Sequence, residues 1–145
     1  MEVLSTIKYS KGINMSLITE HKILGDYRGK LVALEAGINI PFEIKRVFYI
    51  FGTQAGIPRG QHSHHAIKQY LIAVKGSCKV TLDNGKEKQT YELNQPNKGL
   101  FQDALVWGEM HDFSEDCVLL VLASEHYDEN DYIRDYETFQ KLVRV

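Results

Sequence analysis

Short apolar runs, broken by turns at intervals of about 8–12 residues, limit what this chain can become, because each run is too short to bury itself and must pair with neighbours. They fall at residues 31–35, 47–51, 70–74, 78–82, 87–93, 99–101, 105–111 and 118–123. Val47-Phe48-Tyr49-Ile50-Phe51 is rich in β-branched and aromatic side chains, which suit a pleated, half-buried surface. Asp83-Asn84-Gly85 supplies residues that accept the positive φ of a tight hairpin. Only the end of the chain changes period. Tyr132, Ile133, Tyr136, Phe139, Leu142 and Val143 recur at helical spacing, with Asp131 placed as the N-cap. The pattern predicts an all-β barrel or sandwich with a short C-terminal helix on its outside. Val47, Leu71, Ala73, Val80, Leu82, Val118, Leu120 and Leu122 are the expected core.

A chain of 145 residues fits one domain and one core, so residues 1–145 are read as a single unit, with 1–14 as an N-terminal extension. The net charge of −2 draws neither nucleic acid nor an anionic membrane, and any grip on phosphate must come from a few placed Arg or Lys side chains. No run approaches the roughly 18 apolar residues of a membrane helix, and residues 1–14 lack the apolar core of a secretory leader. Cys78 and Cys117 each sit inside an apolar run and read as buried thiols rather than a disulfide. A cytoplasmic protein is expected.

The chemistry concentrates in Gly56-Ile57-Pro58-Arg59-Gly60-Gln61-His62-Ser63-His64-His65, followed by Gln69 and Gly76. The first cupin motif runs Gly, five residues, His-x-His, three or four residues, Glu, six residues, Gly. This chain matches it with Gln69 in the Glu position. On a strand, residues two apart share a face, so His62 and His64 point into the barrel, Ser63 points out and His65 lies at the surface. Cupin metal sites normally add that Glu and a second-motif His. Here Gln69 and Gln102 stand in those places, and an amide oxygen is a poor transition-metal donor. The chain is therefore expected to work with no metal and no other cofactor. An imidazole pair that titrates near neutrality suits proton transfer instead. Tyr49 could supply a phenol, and Arg46 and Arg59 could grip pyrophosphate oxygens.

These residues resemble the bacterial dTDP-sugar 3,4-ketoisomerases, the WxcM-like cupins. The likeness rests on Tyr27-Arg28-Gly29-Lys30-Leu31, on the run from Asn39 through Arg46 to Ile50, and on Pro58-Arg59-Gly60-Gln61-His62-Ser63-His64. Trp107-Gly108-Glu109-Met110-His111-Asp112-Phe113 and Tyr127-Asp128-Glu129-Asn130-Asp131-Tyr132-Ile133-Arg134 complete it. The resemblance implies a cupin, or double-stranded β-helix (jelly-roll), barrel that converts dTDP-4-keto-6-deoxyglucose to the 3-keto sugar through an enediol. One of His62 and His64 would be the base and Tyr49 the hydroxyl-proton shuttle, although Phe48 occupies a position where relatives can carry Tyr. Arg28, Arg46, Arg59, Gln69 and Trp107 would bind substrate. It also implies a homodimer with exchanged N-terminal strands, serving deoxyamino-sugar and surface-polysaccharide synthesis. Gly108 departs from the larger polar residue usual after the Trp, and the C4 configuration of the product is not legible.

Three rivals compete with this reading. A dTDP-sugar 3,5-epimerase also uses a His base in a cupin barrel, usually paired with an Asp and in a longer chain. A metal-dependent cupin would need the ligands that Gln69 and Gln102 replace. A non-catalytic sugar-nucleotide-binding cupin would have little need of two titratable groups on one face.

Overall fold

Hydrogen bonding along the backbone sorts the apolar runs into two facing sheets. In a computed structural model, which describes residues 17–144, the strands are β1 (Ile18–Glu20), β2 (Leu24–Asp26), β3 (Gly29–Leu31), β4 (Arg46–Ile50), β5 (Arg59–His64) and β6 (Gln69–Lys75). They continue with β7 (Cys78–Asp83), β8 (Lys88–Leu93), β9 (Lys98–Gln102), β10 (Trp107–His111), β11 (Val118–Ala123) and β12 (Tyr132–Ile133), before the helix α1 (Tyr136–Val143). One sheet has the order β1-β9-β6-β11-β4, the other β12-β5-β10-β7-β8, and β2-β3 forms a separate hairpin. This is the expected all-β architecture with a short C-terminal helix. The extension or exchanged strand expected at residues 1–14 lies outside the described residues.

The main core lies between the sheets. Leu71, Ala73, Val80, Leu82, Leu93, Leu100, Leu119 and Val121 are buried together there. A second cluster, Ile40, Tyr70, Phe101 and Leu122, forms where Leu34, Phe42 and Ile44 fold over the outer face of the first sheet. This second cluster corrects the expected core. Leu119 and Val121 are fully buried, whereas Val118 and Leu120 are half-buried and Val47 is 57% exposed. β11 is apolar on both faces because both are covered, so alternation alone could not give its phase. On the edge strand β4, Phe48 and Ile50 pack inward, leaving Val47 and Tyr49 outside.

Turns fall where their residues demand. Asn84 N–H bonds the Glu87 carbonyl at 3.2 Å, Gly85 adopts φ +94°, and its N–H donates to Asp83 Oδ1 at 2.7 Å. Gly76, the last glycine of the histidine motif, has φ +67°, and a Cβ there would lie 2.4 Å from Ser114 Oγ. Both conformation and space therefore require glycine. The strand expected at residues 31–35 ends at Leu31, because Asn39 intrudes, accepting the Glu35 N–H at 2.7 Å and donating to the Ala33 carbonyl at 2.7 Å.

The helix starts later than its periodicity suggested. Tyr132 and Ile133 pair with β5 as β12, and Asp135, not Asp131, is the N-cap, accepting from Thr138 N at 2.9 Å. Asp131 is unavailable for capping because its carboxylate takes the N–H groups of Ala66 and Ile67, each at 3.0 Å. Phe139 of α1 is fully buried against Trp107 and Ile133.

Leu119→Ala should cost about 3 kcal/mol, the usual price of emptying a Leu site in a closed core. Val47→Ala should cost less than about 1 kcal/mol. Urea denaturation of both variants tests this assignment of the faces of β4 and β11.

Candidate active site

Strand alternation brings His62 and His64 to one place, as expected, and places them unequally. Gly60 (φ +89°) and Gln61 (φ +52°) bend β5 just before the pair. A Cβ on Gly60 would sit 3.2 Å from the Gly108 carbonyl oxygen, so glycine lets β5 close on β10. His62 is half-buried and lines a cavity of about 360 Å³, together with Arg46, Phe48, Arg59, Gln69, Met110, Tyr132 and Arg134. These residues come from both sheets, so the cavity lies where the sheets meet. His64 is 2% exposed and sits behind His62, the two ring centroids 4.9 Å apart and nearly perpendicular. Ser63, expected to face out, is instead fully buried, and its hydroxyl has no hydrogen-bond partner among the described residues. His65 is exposed as expected.

His62 Nδ1 lies 2.8 Å from the Gly60 carbonyl. A carbonyl can only accept, so Nδ1 carries the proton and the neutral ring keeps its lone pair on Nε2. Burial holds the His62 imidazole below its ordinary range, and Arg134 lowers it further, while the Gly60 carbonyl and Glu129 act the other way. His64 is pushed down to about 4, first by burial and then by repulsion from His62. Its Nδ1 faces Asp131 Oδ2 across 3.5 Å, a contact of a neutral ring with a carboxylate at the outer limit of hydrogen-bonding distance, and among the described residues neither ring nitrogen has a closer polar partner.

Tyr132 completes the cluster. Its ring lies 4.9 Å from that of His62 and 4.3 Å from that of His64. Arg46 Nη1 reaches its hydroxyl at 3.5 Å, and the Arg134 guanidinium stacks on its ring at 4.4 Å. Arg134 is held by Glu129 at 2.8 and 2.9 Å. Reading Tyr132 as part of a helix hid this residue. The run from Tyr127 to Arg134, one of those that carry the family likeness, held the signal.

The other expected residues divide. Arg46, Arg59 and Gln69 line the cavity. Tyr49 reaches its wall too, but is 62% exposed, its ring 6.0 Å from that of Phe51. Trp107 lies outside this cavity. Its ring packs on Tyr136 and Phe139, with Nε1 donating to Glu109 Oε2 at 3.0 Å. Arg28 is also outside, on the β2–β3 hairpin, paired with Asp26 at 2.7 Å and largely exposed. Gln69 and Gln102 are register partners on β6 and β9. A Cβ on Gly108 would lie 2.5 Å from Gln102 Nε2, so a larger residue at 108 would require Gln102 to move. Among the described residues, no three His, Cys, Asp or Glu side chains gather as a metal-ion site.

Two facing sheets, with His62, Tyr132 and three arginines lining one cavity between them and His64 behind, form a cupin-type barrel. Residues 13–144 match the model of the family described as WxcM-like, C-terminal (FdtA), and the chain belongs to that family. A curated relative from Aneurinibacillus thermoaerophilus, a TDP-4-oxo-6-deoxy-alpha-D-glucose-3,4-oxoisomerase, is 51% identical over 87% of this chain and 91% of its own. A 3,4-ketoisomerase structure from Helicobacter canadensis superposes with a TM-score of 0.85 at 47% identity, covering 87% of this chain and 95% of that one. A histidine-to-asparagine mutant of the Thermoanaerobacterium thermosaccharolyticum 3,4-ketoisomerase QdtA, in complex with TDP-4-keto-6-deoxyglucose, gives 0.84 at 47% identity over 87% and 91% of the two chains.

The depressed His64 makes stability depend on pH. An unfolded chain takes up a proton near the ordinary imidazole value of 6.5, but the folded one does so only near 4, so folding loses stability as pH falls through that window. Urea denaturation between pH 4 and 7 should show this acid-side loss, and His64→Gln should flatten it.

Proposed function

We propose that the protein is a TDP-sugar 3,4-ketoisomerase that converts TDP-4-keto-6-deoxyglucose to its 3-keto isomer with His62 as the base. The observation that carries this reading is the bond from His62 Nδ1 to the Gly60 carbonyl, which leaves Nε2 as the free lone pair on the histidine that lines the cavity. The C4 carbonyl of the substrate acidifies the C3 hydrogen, and a base of near-neutral character removes it. His62 takes that proton, an enediol forms, and His62 returns the proton to C4. One hydrogen must also pass from the C3 oxygen to the C4 oxygen. Tyr132, rather than Tyr49, suits this transfer, because its ring touches both imidazoles. The proton bookkeeping closes without an external reductant or oxidant.

Arg46, Arg59 and Arg134 supply positive charge for the diphosphate, and the Gln69 amide, in the same cavity, can hydrogen-bond a sugar oxygen. Trp107 and Arg28 do not reach this cavity within one chain. A homodimer would cover the exposed Val47, Tyr49 and Phe51 on and beside edge strand β4 and the exposed Tyr27 and Leu31 of the hairpin. We place the enzyme in the cytoplasm, making a 3-keto sugar for deoxyamino-sugar and surface-polysaccharide synthesis. No described helix is long and apolar enough to cross a membrane.

Proton NMR with TDP-4-keto-6-deoxyglucose in deuterated water should show a new 3-keto sugar, with deuterium at C4 of the product and no sensitivity to chelator. His62→Asn should slow it by roughly 10²-fold or more. Exchange at C5 instead would indicate an epimerase, and tight TDP binding without turnover would indicate a binding module. Light scattering should give a dimer that Val47→Glu shifts toward monomer.

A further inference from the structure

We propose that Asp131 is a positioning residue for the histidine pair. It fixes the buried His64 ring with Nδ1–H directed at its carboxylate, and places a negative charge behind the ring that adjoins the base. This rests on the proposed role of His62. Four contacts converge on Asp131. Its two carboxylate oxygens accept the Ala66 and Ile67 N–H groups at 3.0 Å each, its carbonyl accepts the His65 N–H at 2.9 Å, and Oδ2 faces His64 Nδ1 at 3.5 Å. One residue therefore holds the backbone on the far side of His64 and also faces its ring.

The arrangement has a chemical consequence. A carboxylate only accepts, so the ring nitrogen facing it is the protonated one, and His64 keeps a lone pair on Nε2. His64 stays uncharged at neutral pH, being sealed from water beside a second imidazole. When His62 takes the substrate proton it becomes a cation 4.9 Å from that neutral ring. Arg46 from β4, Arg59 from β5 and Arg134 after β12 oppose this charge from the cavity side, while Glu129 is already committed to Arg134. Asp131 is the carboxylate behind the pair, and its charge across the His64 ring favours the imidazolium. Tyr132, the next residue, is held against both rings by the same anchor.

The test uses the full chain with Asp131→Asn and Asp131→Ala. Asn removes the charge but keeps an oxygen for a backbone N–H, whereas Ala removes both. If Asp131 positions and charges the pair, both variants should lose kcat roughly tenfold, the scale typical of a carboxylate partner of a working imidazole. KM should stay unchanged, and the acid limb of kcat/KM should move to lower pH because His62 becomes harder to protonate. Thermal stability should fall mainly in the Ala variant. Nitrogen-15 NMR should show His64 as the Nδ1–H tautomer in the wild type and not in Asp131→Asn. A wild-type Nε2–H tautomer, or an Asn variant with wild-type kcat and an unmoved acid limb, would overturn the proposal while leaving isomerisation intact. Absence of isomerisation in the wild type would instead sink the functional reading itself.

Discussion

The site depends on β5 being hydrogen-bonded along both edges. β10 pairs with one side, setting Gly108 opposite His62, and β12 pairs with the other, setting Tyr132 opposite His64. A strand held on one side only could slip, and a slip of one residue would turn both imidazoles to the other face. β12 contributes only Tyr132 and Ile133, yet it fixes this edge. Ile133 docks beneath Phe139 and Trp107, so helix packing outside the barrel is transmitted to the position of the histidines inside it.

Burial and charge act on the two histidines to different degrees. Desolvation is the first cause in both, and at His64, which lies behind its neighbour, repulsion from His62 is added to it. Sequence treats the pair as equivalent, since both alternate onto one face. The difference comes from depth: His62 meets the cavity, while His64 meets His62, Tyr132 and Asp131. The Gly60 carbonyl sets the His62 tautomer and the cavity keeps its ring reachable, the two conditions that the proposed base requires.

Much of this was legible in the sequence for local reasons. The Asp83-Asn84-Gly85 turn and the pairing of His62 with His64 follow from rules that act over a few residues. The features that escaped were those set by distant contacts. Asp131 looked like a helix cap because nothing nearby reveals that its carboxylate is already taken by Ala66 and Ile67. Tyr132 fitted a helical period by coincidence, its true partner being His64. The phase of β11 was invisible because Leu119 and Leu122 each face a covered surface. Tyr49 and Phe48 are neighbours on β4, and only the packing of Phe48 on the core shows which of them faces inward.

The late position of β12 separates, along the chain, the bulk of the core from the wall behind the histidines. Strands β1 to β11 and the main core precede residue 124, whereas Asp131 and Tyr132, which stand behind the histidines, follow it. A product cut short before Asp131 would keep most of its core yet lack the carboxylate and the phenol ring that flank the histidines.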